Sequence, residues 1–207
     1  CDMIRFSIML VFLLVLGARD TQAQAPFENW STLNIKGLLN PKLTIAIEGE
    51  ERYNYPSNQV RYFHTDVGLI KKVSDKLSIG AFYRELYELK NDSRVMEVRP
   101  HLDIFYKINS NWKVRIRNEY QIKEISEDLF RFRVRPTWKT PLNKTASAFV
   151  QTEGFFVGTT LVRNRFNPGV AIKLNKIVVE PGYMLESNRK GDWSHIHIFW
   201  INTKIKF

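Results

Sequence analysis

His195-Ile196-His197-Ile198-Phe199-Trp200-Ile201-Asn202-Thr203-Lys204-Ile205-Lys206-Phe207 alternates with a period of two to its last residue. Phe199, Ile201, Ile205 and Phe207 fall on one face, and Trp200, Asn202, Lys204 and Lys206 on the other. A strand that is apolar on one side and polar on the other suits a wall between lipid and water.

The same alternation returns along nearly the whole chain at a spacing of about 15 to 18 residues. Its clearest segments are Met96 to Lys107, Trp112 to Lys123, Phe130 to Lys139, Val162 to Leu174 and Ile177 to Glu186. In the second, Trp112, Val114, Ile116, Tyr120 and Ile122 share one face, and Lys113, Arg115, Arg117, Glu119, Gln121 and Lys123 the other. No helix-period stripe competes with this pattern. Segments of about 9 to 13 residues are about twice the length of an ordinary globular strand and match what a tilted strand needs to cross a bilayer. The pattern predicts an all-β, antiparallel, transmembrane up-and-down β-barrel of about ten strands.

Turn signals divide into two sets. Val73-Ser74-Asp75-Lys76, Asn109-Ser110-Asn111, Pro141-Leu142-Asn143-Lys144 and Asn175-Lys176 read as periplasmic turns. The segments around Pro56-Ser57-Asn58, Asn91-Asp92-Ser93, Ser126-Glu127-Asp128, Gly158-Thr159-Thr160 and Ser187 to Trp193 read as outer loops. With ten strands, this places both ends of the barrel in the periplasm. Trp30 to Leu39, followed by Asn40-Pro41, either adds a strand toward a twelve-stranded closure or plugs the lumen. Tyr53, Tyr55, Tyr62, Tyr83, Tyr87, Tyr106, Trp112, Tyr120, Trp138, Phe156, Tyr183 and Phe207 fall near strand ends, as interfacial girdles do and as ordinary strand preference for aromatics also allows.

The N-terminus reads as a secretory leader. Arg5 supplies a positive start, Ile8 to Leu16 is an apolar run too short to span a bilayer, and Thr21-Gln22-Ala23 or Ala23-Gln24-Ala25 offers a cleavage site, the first favoured because Pro26 would follow the second. The expected organisation is a signal peptide over 1–23, an N-terminal segment over 24–42 and an outer-membrane barrel over 43–207. Cys1 and Asp2 precede Met3, the more natural start, and read as an upstream extension. The mature chain then has no cysteine, no disulfide framework and no thiol chemistry. Of 207 residues, 44% are hydrophobic and 25% charged, which resembles a soluble protein because only every second wall residue faces lipid.

Arg115-Ile116-Arg117-Asn118-Glu119, Arg131-Phe132-Arg133-Val134-Arg135, Glu153-Gly154-Phe155-Phe156, Asn164-Arg165-Phe166-Asn167-Pro168-Gly169-Val170 and Glu180-Pro181-Gly182-Tyr183-Met184-Leu185-Glu186 together resemble an uncharacterised outer-membrane family called domain of unknown function 2490. The likeness runs from about Trp30 to the end and rests on the order and spacing of short motifs. It implies a small outer-membrane barrel and no established activity. The closing strand, with Phe199, Ile201, Ile205 and Phe207, is likewise similar to the assembly signal of bacterial outer-membrane barrels. That likeness implies the barrel-assembly machinery as a partner during biogenesis, and outer-membrane lipid, lipopolysaccharide included, thereafter.

Placing the polar faces inward puts Arg52, Arg84, Arg99, Arg115, Arg117, Arg131, Arg133, Arg135, Arg163 and Arg165 in the lumen. Glu48, Glu50, Asp66, Glu97, Asp103, Glu119, Glu153 and Glu180 accompany them. Guanidinium groups form forked pairs with carboxylates, so one expectation is a closed, structural ion-pair network. The other treats surplus arginines such as Arg131, Arg133 and Arg135 as a ladder selecting small anionic solutes in a narrow pore. The net charge of +10 is explained by these alternating arginines rather than by nucleic-acid binding, which is not expected. Arg94, Arg189 and Lys190 near the outer loops read as solvated charge or as contacts to lipid phosphate.

Catalysis has thin support. His64 with Asp66, His101 with Asp103, and Asp192 with His195 and His197 pair imidazole with carboxylate, yet Ser78 and Ser147 lie on other strands without a nucleophile elbow. His195 and His197 alternate as ligands on a strand do, with no third ligand in sight. The expectation is therefore no enzyme, no cofactor and no metal. A soluble lipocalin-like cup is the remaining alternative, and it requires apolar residues on the inside.

Overall fold

Alternation with a period of two has one structural solution, a strand with two chemically different faces. In the computed structural model, residues 27–91 and 93–207 are described, and they form eleven strands and no helix. The leader expected over 1–23 lies outside the described residues. The strands are β1 (Phe27–Asn40), β2 (Leu43–Asn54), β3 (Gln59–Lys72), β4 (Leu77–Lys90), β5 (Ser93–Lys107), β6 (Trp112–Lys123), β7 (Leu129–Pro141), β8 (Ala146–Val157), β9 (Thr160–Leu174), β10 (Ile177–Lys190) and β11 (Asp192–Lys206). Each pairs antiparallel with its sequence neighbours, and β1 closes the barrel against β11.

The count of eleven corrects the expectation of about ten, and it equally excludes twelve. An odd number of strands cannot close with every pair antiparallel, so β1 and β11 run parallel, from Phe27 opposite His197 to Lys36 opposite Lys206. Residues 30–39, whose role was open between strand and plug, are part of this wall. Closure also separates the two ends of the barrel. Phe27 lies at the rim bearing the β2–β3, β4–β5, β6–β7, β8–β9 and β10–β11 connections, whereas the amide of Phe207 donates to the Lys36 carbonyl (3.0 Å) near the opposite rim. The expectation of both ends on one side fails for this reason.

Turn chemistry makes the connections short. Asn58, Asn91, Asn175, Gly158 and Gly191 have φ between 48° and 83°, a region that asparagine tolerates and glycine enters freely. Gly191 is the sharpest case. The loop expected over Ser187 to Trp193 is mostly strand, because one glycine at φ 83° joins Lys190 to Asp192.

The two faces separate as the pattern requires. Leu33, Ile47, Val67, Leu102, Ile122, Phe166, Phe199 and Ile201 point outward and are exposed. Trp30, Phe149, Ala171, Met184, Ile198 and Trp200 pack together inside. Tyr62, expected in a rim girdle, faces inward and is buried, since it shares the parity of His64 and Asp66 on β3. Inward rings press against glycines paired with them on the neighbouring strand. A methyl group added at Gly68 would meet the Phe82 ring at 2.3 Å and the Ala81 carbonyl oxygen at 2.4 Å. A backbone atom cannot swing away as a side chain can. Gly68→Ala is therefore expected to lower stability by about 1–3 kcal/mol, read as a lower urea midpoint at unchanged slope. A midpoint equal to that of the parent protein would show that the ring does not seat there.

Candidate functional site

The lumen is where chemistry concentrates, and strand register decides who meets whom. Across β6 and β7, Arg115 lies opposite Arg135, and Arg117 opposite Arg133. Like charges directly opposite are destabilising unless something intervenes, and here carboxylates from β5, β6 and β8 do. Glu153 of β8 accepts from Arg115 Nη2 at 2.7 Å and from Arg133 Nη2 at 3.0 Å, with Arg165 Nη1 at 3.9 Å. Glu119 of β6 takes Arg133 Nη1 at 2.9 Å and also pairs with Arg131. Asp103 of β5 is held by both prongs of Arg117, at 2.7 and 2.8 Å, the forked geometry that favours arginine over lysine.

The network continues around the barrel. Arg84 bridges Asp66 (2.6 Å) and Glu48 (3.0 Å); Arg99 meets Glu97 at 2.6 Å and Arg52 meets Glu50 at 2.7 Å. Arg165 donates to Glu186 at 2.6 Å, with Arg163 at 3.6 Å from the same carboxylate. Lys204 closes on Glu180 at 2.6 Å. Of the arginines expected inside, Arg135 has no carboxylate within 4.0 Å among the described residues. Asp103 and Glu119 are each 1% exposed, so these ions are tied together out of water.

Aromatic faces finish the packing. Phe155, also 1% exposed, lies under the guanidinium groups of Arg133 (4.5 Å), Arg165 (4.8 Å), Arg131 (5.1 Å) and Arg163 (5.5 Å). Arg52 sits 3.7 Å over Trp30 and 3.8 Å over Tyr62. A ring quadrupole attracts a cation most when both are desolvated, as they are here. Phe155, Trp30 and Glu186 are absent from the sequence-derived site. Glu186 shares the parity of Glu180 on β10, so the alternation carried a signal for it. The aromatic faces carried none, because an inward Phe and an inward Arg meet only through register.

The histidines divide between the two faces. His195 and His197 point out of the barrel, where they meet Ser187 Oγ at 2.9 Å and the Tyr183 hydroxyl at 2.5 Å. They share no face with the lumen carboxylates. His64 and His101 are inside and buried. His64 Nε2 is 3.1 Å from Glu48 Oε1, and His101 Nδ1 is 3.1 Å from the Arg99 carbonyl oxygen. His101 does not hydrogen-bond Asp103, its expected partner. Asp103 is committed to Arg117, and the nearest carboxylate to His101 Nε2 is Asp66, at 3.6 Å. A cavity of about 220 Å³ opens at the loop rim beside Leu86, Glu88, Val95, Glu97 and Lys123.

The chain belongs to the family described as protein of unknown function DUF2490, whose model matches residues 27–195. No curated protein matches the chain.

Proposed function

From a family description that assigns no activity, we propose that this chain is a small outer-membrane barrel, exported by a leader cleaved after Ala23, whose ion-paired lumen is a structural core. The outward face supports the membrane placement. A monomer in water rarely exposes a contiguous apolar patch beyond about 300–600 Å². Here outward apolar residues on every strand but β8, among them Ile47, Val67, Leu102, Tyr120, Phe166 and Phe199, are exposed. Strand length agrees: 12 to 15 residues at about 3.3 Å each, tilted about 40°, give a height of about 30–38 Å, enough to cross the ~30 Å of a hydrocarbon core. The inverse arrangement, an apolar cup with a polar exterior, does not fit these faces. The rim carrying the β1–β2 turn and Phe207 takes the periplasmic side, and outer-leaflet lipopolysaccharide surrounds the other.

The observation that carries the structural reading of the lumen is Glu153, one carboxylate contacting Arg115, Arg133 and Arg165 while only 4% exposed. Charges already neutralised and buried among Phe155, Trp30 and Trp200 leave little to attract a passing ion. The folded protein in a planar bilayer is expected to give no sustained conductance steps under a salt gradient. Stable steps would contradict the closed lumen. Arg135 favours a second reading, an anion-preferring path, because it stands beside Arg115 without a carboxylate of its own. In that case Arg133→Glu would move the reversal potential toward cations. We assign the barrel no reaction.

A further inference from the structure

Glu48, His64 and Asp66 each bring a ligand atom within 4.8 Å of the others, although they come from two strands. Register explains the meeting: Glu48 lies opposite Asp66 on the β2–β3 ladder, and His64 precedes Asp66 by two on the same inward face. His101 reaches the group from β5, with Nε2 3.6 Å from Asp66 Oδ2. The side chains of His64, Asp66 and His101 are 1%, 4% and 0% exposed.

Three buried atoms of this group have no hydrogen-bond partner: His64 Nδ1, Asp66 Oδ1 and His101 Nε2. Tautomer logic sharpens the point. A backbone carbonyl only accepts, so His101 Nδ1 at 3.1 Å from the Arg99 oxygen carries the proton. Its Nε2 is then a bare lone pair facing a carboxylate. An imidazole whose Nδ1–H is fixed to a carbonyl, with Nε2 free, is the arrangement of a metal-bound histidine. Phe82 stacks on the His101 ring at 5.0 Å and 6°, holding its direction. Neighbouring ligands around a tetrahedral Zn²⁺ at 2.0–2.2 Å lie roughly 3.4 Å apart, close to the 3.6 Å between His101 Nε2 and Asp66 Oδ2.

We infer that Glu48, His64, Asp66 and His101 form a lumenal site for a divalent transition cation of the Zn²⁺ class. Two imidazoles and two carboxylates suit such a borderline ion and are poor for Mg²⁺ or Ca²⁺, which take oxygen. Arg84 holds the place of the cation, bridging Asp66 and Glu48 through one Nη2 at 2.6 and 3.0 Å. Zn²⁺ and this guanidinium compete for the same oxygens, so occupancy requires Arg84 to withdraw. Glu48, 30% exposed at its side chain, is the open edge through which the ion enters. The site is independent of the membrane placement, since it needs only the closed barrel.

The test is equilibrium dialysis of the folded, leader-processed protein against Zn²⁺ alone, with bound metal counted per chain and folding of each variant checked by circular dichroism. One Zn²⁺ per chain is expected. His101→Gln and His64→Gln are each expected to weaken binding by about 10–100-fold. His195→Ala with His197→Ala, on the outer face, is expected to leave it unchanged. Arg84→Gln is expected to tighten binding by about tenfold, an outcome that misfolding cannot mimic. Absence of stoichiometric Zn²⁺ from both the parent and Arg84→Gln proteins would overturn the site. So would binding that survives His64→Gln/His101→Gln and disappears with the outer histidines.

Discussion

Glu153→Gln is expected to lower the stability of the folded barrel by about 3–5 kcal/mol, the cost of leaving buried charge without its partner. Glu153 is 4% exposed and is shared by Arg115, Arg133 and Arg165. Removing its charge leaves Arg115 facing Arg135 across the β6–β7 ladder with no carboxylate at hydrogen-bonding distance, since Asp103 stands 3.9 Å from Arg115. Glutamine keeps the shape and can accept a hydrogen bond, so the loss isolates charge from packing. The measurement is urea unfolding in detergent micelles, followed by tryptophan fluorescence. Glu180→Gln is the comparison: its partner Lys204 is 37% exposed at its side chain, and water takes up most of the lost pairing. A loss no larger than that of Glu180→Gln would mean that the lumen is wet and its ion pairs are screened.

The second large effect belongs to the outer face. Leu102 points outward near the middle of β5 and is 54% exposed. In a bilayer, Leu102→Arg is expected to cost about 2–4 kcal/mol, the price of an arginine near the midplane of a barrel wall. Facing water, the same change would fall within about 0.5 kcal/mol of neutral. Unfolding measured in phosphatidylcholine vesicles separates the two, and an unchanged midpoint there would remove lipid from the outer face.

Sequence alternation made the wall legible because a strand records its two faces directly. β6 begins at Trp112 and ends at Lys123, as the pattern predicts. β1 was harder. Ser31 and Gly37 stand where outward apolar residues belong, and Leu38 and Leu39 are adjacent, so Phe27–Asn40 loses its period of two although it forms a complete wall strand. With residues 30–39 open between strand and plug, the odd strand count, the parallel closure and the opposite placement of the barrel's two ends were not legible. The inward set of arginines and carboxylates was legible by parity, but their partners were not. Sequence order pairs His101 with Asp103; the barrel gives Asp103 to Arg117 and leaves His101 nearest Asp66, 35 residues away. Register and the offset between strands set such meetings, and neither is written in any one segment. For the same reason, the pair of His64 and Asp66 is visible along the chain, but Glu48 joins it only when β2 lies against β3.

The most direct test of a lipid-facing barrel with a polar, self-neutralised interior is flotation of the refolded, leader-processed chain with phosphatidylcholine vesicles through a density gradient, after a high-salt wash. The protein is predicted to float with the vesicles and to aggregate when refolded without lipid or detergent. A monodisperse protein that stays at the bottom of the gradient, folded in buffer alone, would contradict the membrane wall on which the functional proposal rests.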